Sequence, residues 1–207
     1  MRRKKTPLLA YGLVSLALAA LSSAVYFERV FPIDIPLLEA IHRLESTPMN
    51  WLMVGITRLG DPLFTVPAVF IIFALLRVQK HRSEAEFFAL NCLGGAVLST
   101  GLKLIFGKAR PALWDSPIVE TTFSYPSGHA LGSVVLYGFL AYLWGRRVPQ
   151  HRGWIYGGAI ALCLAIGFSR LYLGVHWPTD LIGGYIIGFL WTSSCILLLK
   201  RKSPATA

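Results

Sequence analysis

The sequence predicts an all-α, polytopic membrane protein: a bundle of six transmembrane helices with short amphipathic helices in the first outer loop. Of the 207 residues, 55% are hydrophobic and only 14% are charged, against about 25% charged residues in soluble domains. The apolar residues also fall into long runs, and a helix needs roughly 20 of them to cross a bilayer. Since the segments between the runs are brief, we expect residues 1–207 to form a single membrane-embedded domain.

Six apolar runs are the candidate spans, at about 7–27, 62–76, 87–106, 130–144, 154–168 and 181–199. The second, fourth and fifth contain only 15 residues each, so they need flanking residues to cross. The first run follows four basic residues and resembles a signal peptide, with Ser22-Ser23-Ala24 as a candidate cleavage site. Its apolar part exceeds the usual 7–15 residues of a signal core, which favours an uncleaved anchor.

The net charge of +10 indicates membrane topology rather than a nucleic-acid partner. With a cytoplasmic N-terminus, the inner segments are 1–6, 77–86, 145–153 and 200–207. They hold 13 of the 20 basic residues and 2 of the 10 acidic ones, so the inner side sums to +11 and the outer side to −1. This bias follows the positive-inside rule. It predicts a multi-pass protein of the cell (inner or plasma) membrane, with cytoplasmic termini and anionic lipid headgroups as partners at that face.

The first outer segment, 28–61, contains two apolar stretches. Leu37, Leu38, Ile41 and Leu44 recur at helical spacing, and residues 51–56 are also strongly apolar. Both patterns are typical of helices lying at the membrane interface. Such helices would either border a lateral entrance for lipid or simply pack over the outer ends of the bundle.

Ionisable residues gather at the outer ends of the later spans, where charges near hydrocarbon usually mark function. Lys103 and Arg110 are seven residues apart, so a continuing helix would point both cations the same way until Pro111 ends it. Lys103 alone is also compatible with snorkelling to the interface. Lys108 lies off this face, and we expect it to be a surface charge.

The segment Pro126-Ser127-Gly128-His129 opens the fourth span. Ser127 is a favourable N-cap, and Gly128 allows an anion to approach the backbone closely. A helix N-terminus with free amides is suited to phosphate, and His129 would lie beside it. The alternative is a structural cap followed by a packed histidine.

The third polar segment, residues 169–180, carries Ser169, Arg170, His176 and Asp180. A carboxylate four residues from a histidine can hold one imidazole nitrogen as N–H and leave the other free as a base or nucleophile. The guanidinium of Arg170 offers a planar fork to phosphate oxygens. A helix-dipole role would explain Asp180 alone, but not Arg170 and His176 with it.

Together the segments KLIFGKARP, PSGH and SRLYLGVHWPTD resemble the three-part signature of the type 2 phosphatidic acid phosphatase superfamily, K-x6-RP, PSGH and SR-x5-H-x3-D. All three match, in order, and the predicted topology brings all their helix ends to the outer face. The resemblance implies a membrane lipid phosphatase. It assigns His176 as the nucleophile, Asp180 as its orienting group and His129 as the general acid. It implies phosphate binding by the remaining signature residues, Lys103, Arg110, Ser127, Gly128, Ser169 and Arg170.

We expect no cofactor and no metal. Fixed cations can stabilise a phosphoryl group by charge and position, and the sequence lacks a carboxylate cluster for a metal ion. Cys92, Cys163 and Cys195 each lie alone in an apolar stretch, which favours small buried side chains over a disulfide or zinc site. Glycines 183, 184 and 188 would allow close helix contact, within the bundle or between subunits, so the oligomeric state stays open.

The predicted reaction is metal-independent hydrolysis of lipid phosphate monoesters or diphosphates at the extracytoplasmic face, through a phosphohistidine. Phosphatidic acid, phosphatidylglycerophosphate and polyprenyl diphosphate are the substrates that the resemblance implies. A dedicated undecaprenyl-diphosphate phosphatase of lipid-carrier recycling is the main alternative. A vanadate-haloperoxidase-like enzyme, a membrane transporter and an inactive lipid-binding relative are further alternatives. The signature recognises phosphate, and no residue pattern identifies the lipid tail.

Overall fold

The computed structural model describes residues 6–202, which form nine α-helices and no strand in this range. They are α1 Thr6–Glu28, α2 Asp34–His42, α3 Thr47–Arg58, α4 Pro62–Val78, α5 Arg82–Phe106, α6 Gly128–Ser133, α7 Phe139–Arg147, α8 Arg152–Tyr172 and α9 Pro178–Lys202. A π-helical segment, Val134–Gly138, joins α6 to α7, and a 3₁₀ turn, Pro149–His151, precedes α8.

Five helical segments are long and apolar enough to cross a membrane: Leu9–Glu28, Thr47–Val78, Arg82–Phe106, Pro149–Tyr172 and Pro178–Lys202. Large apolar side chains point outward from them; Leu13, Phe70 and Leu93 are each more than two-thirds exposed. Such an extensive apolar surface suits hydrocarbon rather than water.

The predicted fourth span falls within the continuous helical rod Gly128–Arg147, which is not one of the five segments. The count of six spans therefore stays a prediction. The basic residues Arg2, Arg3, Lys4 and Lys5, on which part of the topology prediction depends, lie outside the described residues.

Helix α9 lies at the centre of the bundle and packs against α1, α5 and α6. Its contact with α6 is close because glycines face the neighbouring backbone. A Cβ added at Gly184 would lie 2.7 Å from the carbonyl oxygen of Ser127, and one at Gly188 would lie 2.9 Å from that of Leu131. These glycines therefore serve packing within the bundle, one of the two roles open to them.

The π-helical segment interrupts the rod one turn after His129, on its C-terminal side. A π turn breaks the regular backbone hydrogen bonding of an α-helix. The buried Asn91 of α5 donates its side-chain N–H to the carbonyl of Val135 at 2.8 Å. In an apolar environment a backbone carbonyl needs a partner from the protein, and Asn91 supplies one here.

Helices α2 and α3 occupy most of residues 28–61, the segment predicted to lie on the outer side. Leu38 and Ile41 are buried, whereas Leu37 and Leu44 are exposed. Ile41 packs in a cluster with Met53 and with Tyr172, Leu173 and Val175 at the C-terminal end of α8. This contact favours the packing alternative for α2; its position at the membrane interface stays a prediction.

Candidate active site

A cavity of about 1300 Å³ opens between α4, α5 and α6. Its polar end brings together residues that are distant in sequence. They are Asp61, Lys103, Arg110, Glu120, Gly128, His129 and His176. Five of these were predicted from the sequence, and the structure places those five around one space.

His176 lies in the turn between α8 and α9, and its side chain is only 1% exposed. Its Nδ1 is 3.3 Å from Oδ2 of Asp180, the predicted orienting carboxylate. A proton on Nδ1 can be donated to that carboxylate, which leaves the lone pair of Nε2 directed toward Arg110, 3.0 Å away. Burial lowers the pKa of His176 well below its ordinary value, and the nearby Arg110, Arg170 and Lys103 lower it further. The lowered pKa favours the neutral ring, whose unprotonated Nε2 is the atom that the predicted nucleophilic role requires.

Asp180 is fully buried in the first turn of α9. Its Oδ2 accepts hydrogen bonds from the hydroxyl of Ser124 and, at 2.9 Å, from the backbone N–H of Trp177. Its Oδ1 accepts from the ammonium group of Lys108 at 2.9 Å. Such a carboxylate has little freedom to rotate, so it fixes the imidazole that it holds.

The prediction that Lys108 is a surface charge is wrong. Its side chain is 1% exposed, and besides Asp180 it donates to the hydroxyl of Thr179 at 3.0 Å. The reason is the end of α5: the helix stops at Phe106, and Gly107 adopts a left-handed conformation with φ of 53°. This conformation favours glycine, and it turns the chain so that position 108 enters the interior.

The same turn corrects the expected geometry of Lys103 and Arg110, which do not share one continuous helix. They converge through the loop instead. Lys103 Nζ lies 3.4 Å and Arg110 Nη2 3.1 Å from the hydroxyl of Thr122. Arg110 Nε also donates to the carbonyl of Thr122 at 2.7 Å, so both cations face the same end of the cavity.

Arg110 and Arg170 share one counterion, Glu120, which the sequence did not single out. Glu120 Oε2 is 3.1 Å from Arg110 Nη2, and Oε1 accepts a short hydrogen bond from Arg170 Nη2. Burial alone raises the pKa of Glu120, but the two guanidinium groups outweigh it and hold that pKa below its ordinary value. Glu120 is therefore a carboxylate anion in the predicted phosphate site. Its only sequence signal is an acid in the loop between two motifs.

Arg170 is fully buried near the end of α8. Its Nη1 donates to the hydroxyl of Thr57 at 2.9 Å. Among the side chains of the described residues its Nε lacks a hydrogen-bond partner. A buried guanidinium with an unused donor is suited to an additional anionic ligand.

His129 is held by a second residue that the sequence analysis did not identify as part of the site. Its Nε2 lies 2.8 Å from Oδ1 of Asp61. Asp61 stands at the N-cap position of α4, but its side chain makes no capping hydrogen bond. An Asp-Pro pair at a helix start is usually a structural cap, and here the carboxylate turns to the histidine instead.

The remaining predicted residues lie close to these groups with their side chains engaged. Ser127 is the N-cap of α6, and its hydroxyl accepts from the backbone N–H of Ala130 at 3.4 Å. Ser169 is buried and donates its hydroxyl proton to the carbonyl of Ile166 at 2.6 Å. Neither hydroxyl lines the cavity. Their roles in phosphate binding, like those of the other predicted site residues, stay predictions.

Comparison with known proteins identifies the family. A family model described as the PAP2 superfamily matches residues 85–204, which contain all three motifs. Phosphatidylglycerophosphatase B of Bacillus subtilis is 31% identical over 174 residues, covering 82% of this chain and 85% of the relative. The chain belongs to the PAP2 superfamily. An undecaprenyl-diphosphatase of Sulfolobus acidocaldarius is another relative, 28% identical over 176 residues, covering 83% of this chain and 80% of the relative.

The fold agrees with PAP2 membership. The crystal structure of a transmembrane PAP2 type phosphatidylglycerolphosphate phosphatase from Bacillus subtilis matches with a TM-score of 0.83 at 27% identity, covering 95% of this chain and 97% of that one. The family resemblance, the all-helical membrane fold and the enzyme class, a phosphoric-ester hydrolase of lipid metabolism, are thereby confirmed.

Proposed function

We propose that this PAP2 enzyme removes phosphate from lipid phosphate monoesters or diphosphates at the outer face of the membrane, through a phosphohistidine at His176. The observation that supports the proposal most is the single cavity that joins both histidines and two of the cations to an apolar groove. A phosphate bound at its polar end would lie next to Nε2 of His176.

The groove provides for a lipid tail. It runs between α4 and α5 and is lined by apolar side chains such as Val66 and Phe70 of α4, Leu93 and Ala96 of α5, and Leu131 of α6. On α5 the lining extends from Leu104 to Ala89, roughly 22 Å at 1.5 Å per residue. Helices α2 and α3 do not line it, so the entrance that we place here is lateral, between α4 and α5. A lipid phosphate would place its phosphate at the polar end of the cavity and its apolar tail along the groove.

The first chemical step follows from the tautomer of His176. With its Nδ1 proton donated to Asp180, Nε2 attacks phosphorus in line, and the bond from phosphorus to the leaving oxygen breaks. Lys103, Arg110 and Arg170 stabilise the negative charge on the non-bridging oxygens. Because phosphoryl transfer depends on position and charge stabilisation, three fixed cations can supply much of the catalysis.

His129 serves as the proton donor of the first step and as the base of the second. His129 donates its proton to the departing lipid alcohol, or to the departing lipid phosphate when the substrate is a diphosphate. Asp61 orients the ring and stabilises its charged form before the transfer. Neutral His129 then takes a proton from water, which attacks the phosphohistidine and releases inorganic phosphate with His176 restored.

The test is a panel of purified lipid phosphates in detergent micelles. It comprises phosphatidic acid, phosphatidylglycerophosphate and a polyprenyl diphosphate, each assayed for phosphate release with a chelator present. Wild-type enzyme should release phosphate, and His176→Ala should fall to background. Turnover of wild-type level by His176→Ala would refute the mechanism, and loss of activity with chelator would refute metal independence.

Within residues 6–202 no three His, Cys, Asp or Glu side chains are grouped to hold a metal ion.

A dedicated undecaprenyl-diphosphate phosphatase is the second candidate, supported by the Sulfolobus acidocaldarius relative of that name. It predicts that kcat/KM for the polyprenyl diphosphate exceeds that for both phospholipids by at least an order of magnitude. Bromide oxidation with vanadate and peroxide would instead support the haloperoxidase alternative. Lipid transport that survives in His176→Ala would support the transporter.

The outer location of the site can be tested separately. Val119 lies in the loop between α5 and α6 and is 90% exposed. A Val119→Cys variant should react with a membrane-impermeant thiol reagent in intact cells. Reaction only after the cells are opened would place the site at the cytoplasmic face.

A further inference from the structure

The predicted phosphate site already contains an anion from the protein itself. Each oxygen of the Glu120 carboxylate faces a different guanidinium group, Oε2 that of Arg110 and Oε1 that of Arg170. Two oxygens bridging two arginines is the arrangement that a phosphate would adopt between the same groups. Glu120 also lines the cavity beside His176, so it stands where a substrate phosphate would bind.

Nε2 of His176, the proposed nucleophile, is also in contact with a protein group. Arg110 Nη1 lies 3.0 Å from Nε2 of His176, within the 3–3.5 Å at which an attacked phosphorus atom would have to lie. Substrate binding therefore has to take Arg110 away from the ring and Arg170 away from Glu120. A new anion can do both only if it binds the guanidinium groups better than the carboxylate does.

We propose that Glu120 is a specificity-determining residue: it occupies the phosphate site of the resting enzyme, yields to phosphate monoesters and excludes phosphodiesters. The inference rests on the proposed lipid phosphatase function. A monoester carries a charge of about −1.5 to −2 near pH 7, whereas a phosphodiester carries a single negative charge, like Glu120. The dianion displaces the carboxylate, and the diester gains nothing over it.

Tethering makes Glu120 an effective competitor. A group joined to its site by a short stretch of chain acts at an effective concentration of millimolar order. A membrane enzyme is surrounded by phosphodiester headgroups, and a tethered carboxylate competes with each of them for the two arginines. The side chain of Glu120 is 22% exposed, which allows the displaced carboxylate to turn out to water.

The first arm measures binding of inorganic phosphate by isothermal titration calorimetry on detergent-solubilised wild-type, Glu120→Gln and Glu120→Ala proteins. Removing the competing charge should tighten phosphate binding about tenfold, equivalent to about 1.4 kcal/mol. Asp115→Asn is the matched control, because Asp115 is an exposed acid in the same loop; its affinity should equal that of wild type. Unchanged or weaker binding by both Glu120 variants would overturn the proposal, and weaker binding would mean that Glu120 positions the arginines.

The second arm measures selectivity. Hydrolysis of a lipid phosphate monoester is followed in micelles that contain increasing phosphatidylglycerol, a diester. The inhibition constant of the diester should fall about tenfold or more in Glu120→Gln and stay unchanged in Asp115→Asn. Equal inhibition of all three proteins would overturn the proposal. The calorimetric arm needs no turnover, so it judges Glu120 even if the proposed reaction is not observed.

Discussion

Replacing Lys108 by methionine should reduce turnover far more than substrate affinity. Lys108 and Asp180 form an ion pair of 2.9 Å between side chains that are 1% and 0% exposed. Removing one partner of such a buried pair costs about 3–5 kcal/mol of stability, because the other charge is left unpaired. Met approximates the length of the lysine stem, so the loss is mainly one of charge.

The catalytic effect follows from the contacts of Asp180. Three hydrogen bonds remain on Oδ2, from His176, Ser124 and Trp177, but Oδ1 loses the ammonium of Lys108. A carboxylate anchored on one side can rotate and carry the imidazole with it. Since a displacement of about 1 Å can lower a rate about 10²-fold, we expect kcat to fall by about that factor and KM to change only a few-fold.

The assay is steady-state kinetics with p-nitrophenyl phosphate and with a lipid substrate, normalised to folded protein, together with thermal unfolding in detergent. Lys108→Arg keeps the charge and should recover part of kcat. Lys80→Met is the control, because Lys80 is exposed in the turn between α4 and α5; it should behave as wild type. A Lys108→Met enzyme with wild-type kcat per folded molecule would refute the assignment of Lys108 as a positioning residue.

Three further outcomes are expected. His129→Ala should lower kcat for a lipid by ~10²–10⁴-fold but affect p-nitrophenyl phosphate less, because its leaving group needs little protonation; equal losses would contradict the general-acid role. Ala96→Trp should block the groove and raise KM for long-chain lipids about tenfold without changing that for p-nitrophenyl phosphate, and Val97→Trp, which does not line the cavity, should change neither. The lowered pKa of His176 means that the unfolded chain binds its proton more readily, so stability should fall as pH drops below about 6.5. Melting temperatures at pH 7 and pH 5 should therefore differ less in His176→Gln than in wild type, and an unchanged difference would contradict a neutral buried ring.

The sequence was sufficient to predict the residues that carry a periodic or spaced pattern. The membrane helices follow from long apolar runs, and Ser127, His129, His176 and Asp180 lie at helix starts whose caps and spacing are local properties. Local spacing also explains why His176 and Asp180, four residues apart, face each other across one turn.

The residues that were missed depend on contacts between distant segments. Lys108 enters the interior because the chain turns at Gly107. A prediction based on helical spacing assumes that the helix continues, so it could not place Lys108 correctly. Asp61 contacts His129, which lies 68 positions later in the sequence, and Glu120 contacts Arg170, which lies 50 positions later. An isolated acid in a loop carries no local signal of such a contact.

The glycine contact between α6 and α9 has a mechanical consequence for the reaction. Helix α6 carries His129, the proposed acid, and α9 carries Asp180, the proposed orienting carboxylate; the two helices meet backbone to backbone at Gly184. The N–H of Ser127 also donates to the carbonyl of Asp180 at 3.0 Å. Main-chain contacts thus set the distance between the proposed acid on α6 and the carboxylate on α9. Thinning or thickening of the bilayer should leave this distance unaltered. Lipid composition would then act on how substrate arrives through the α4–α5 side, and leave the bond-breaking step itself untouched.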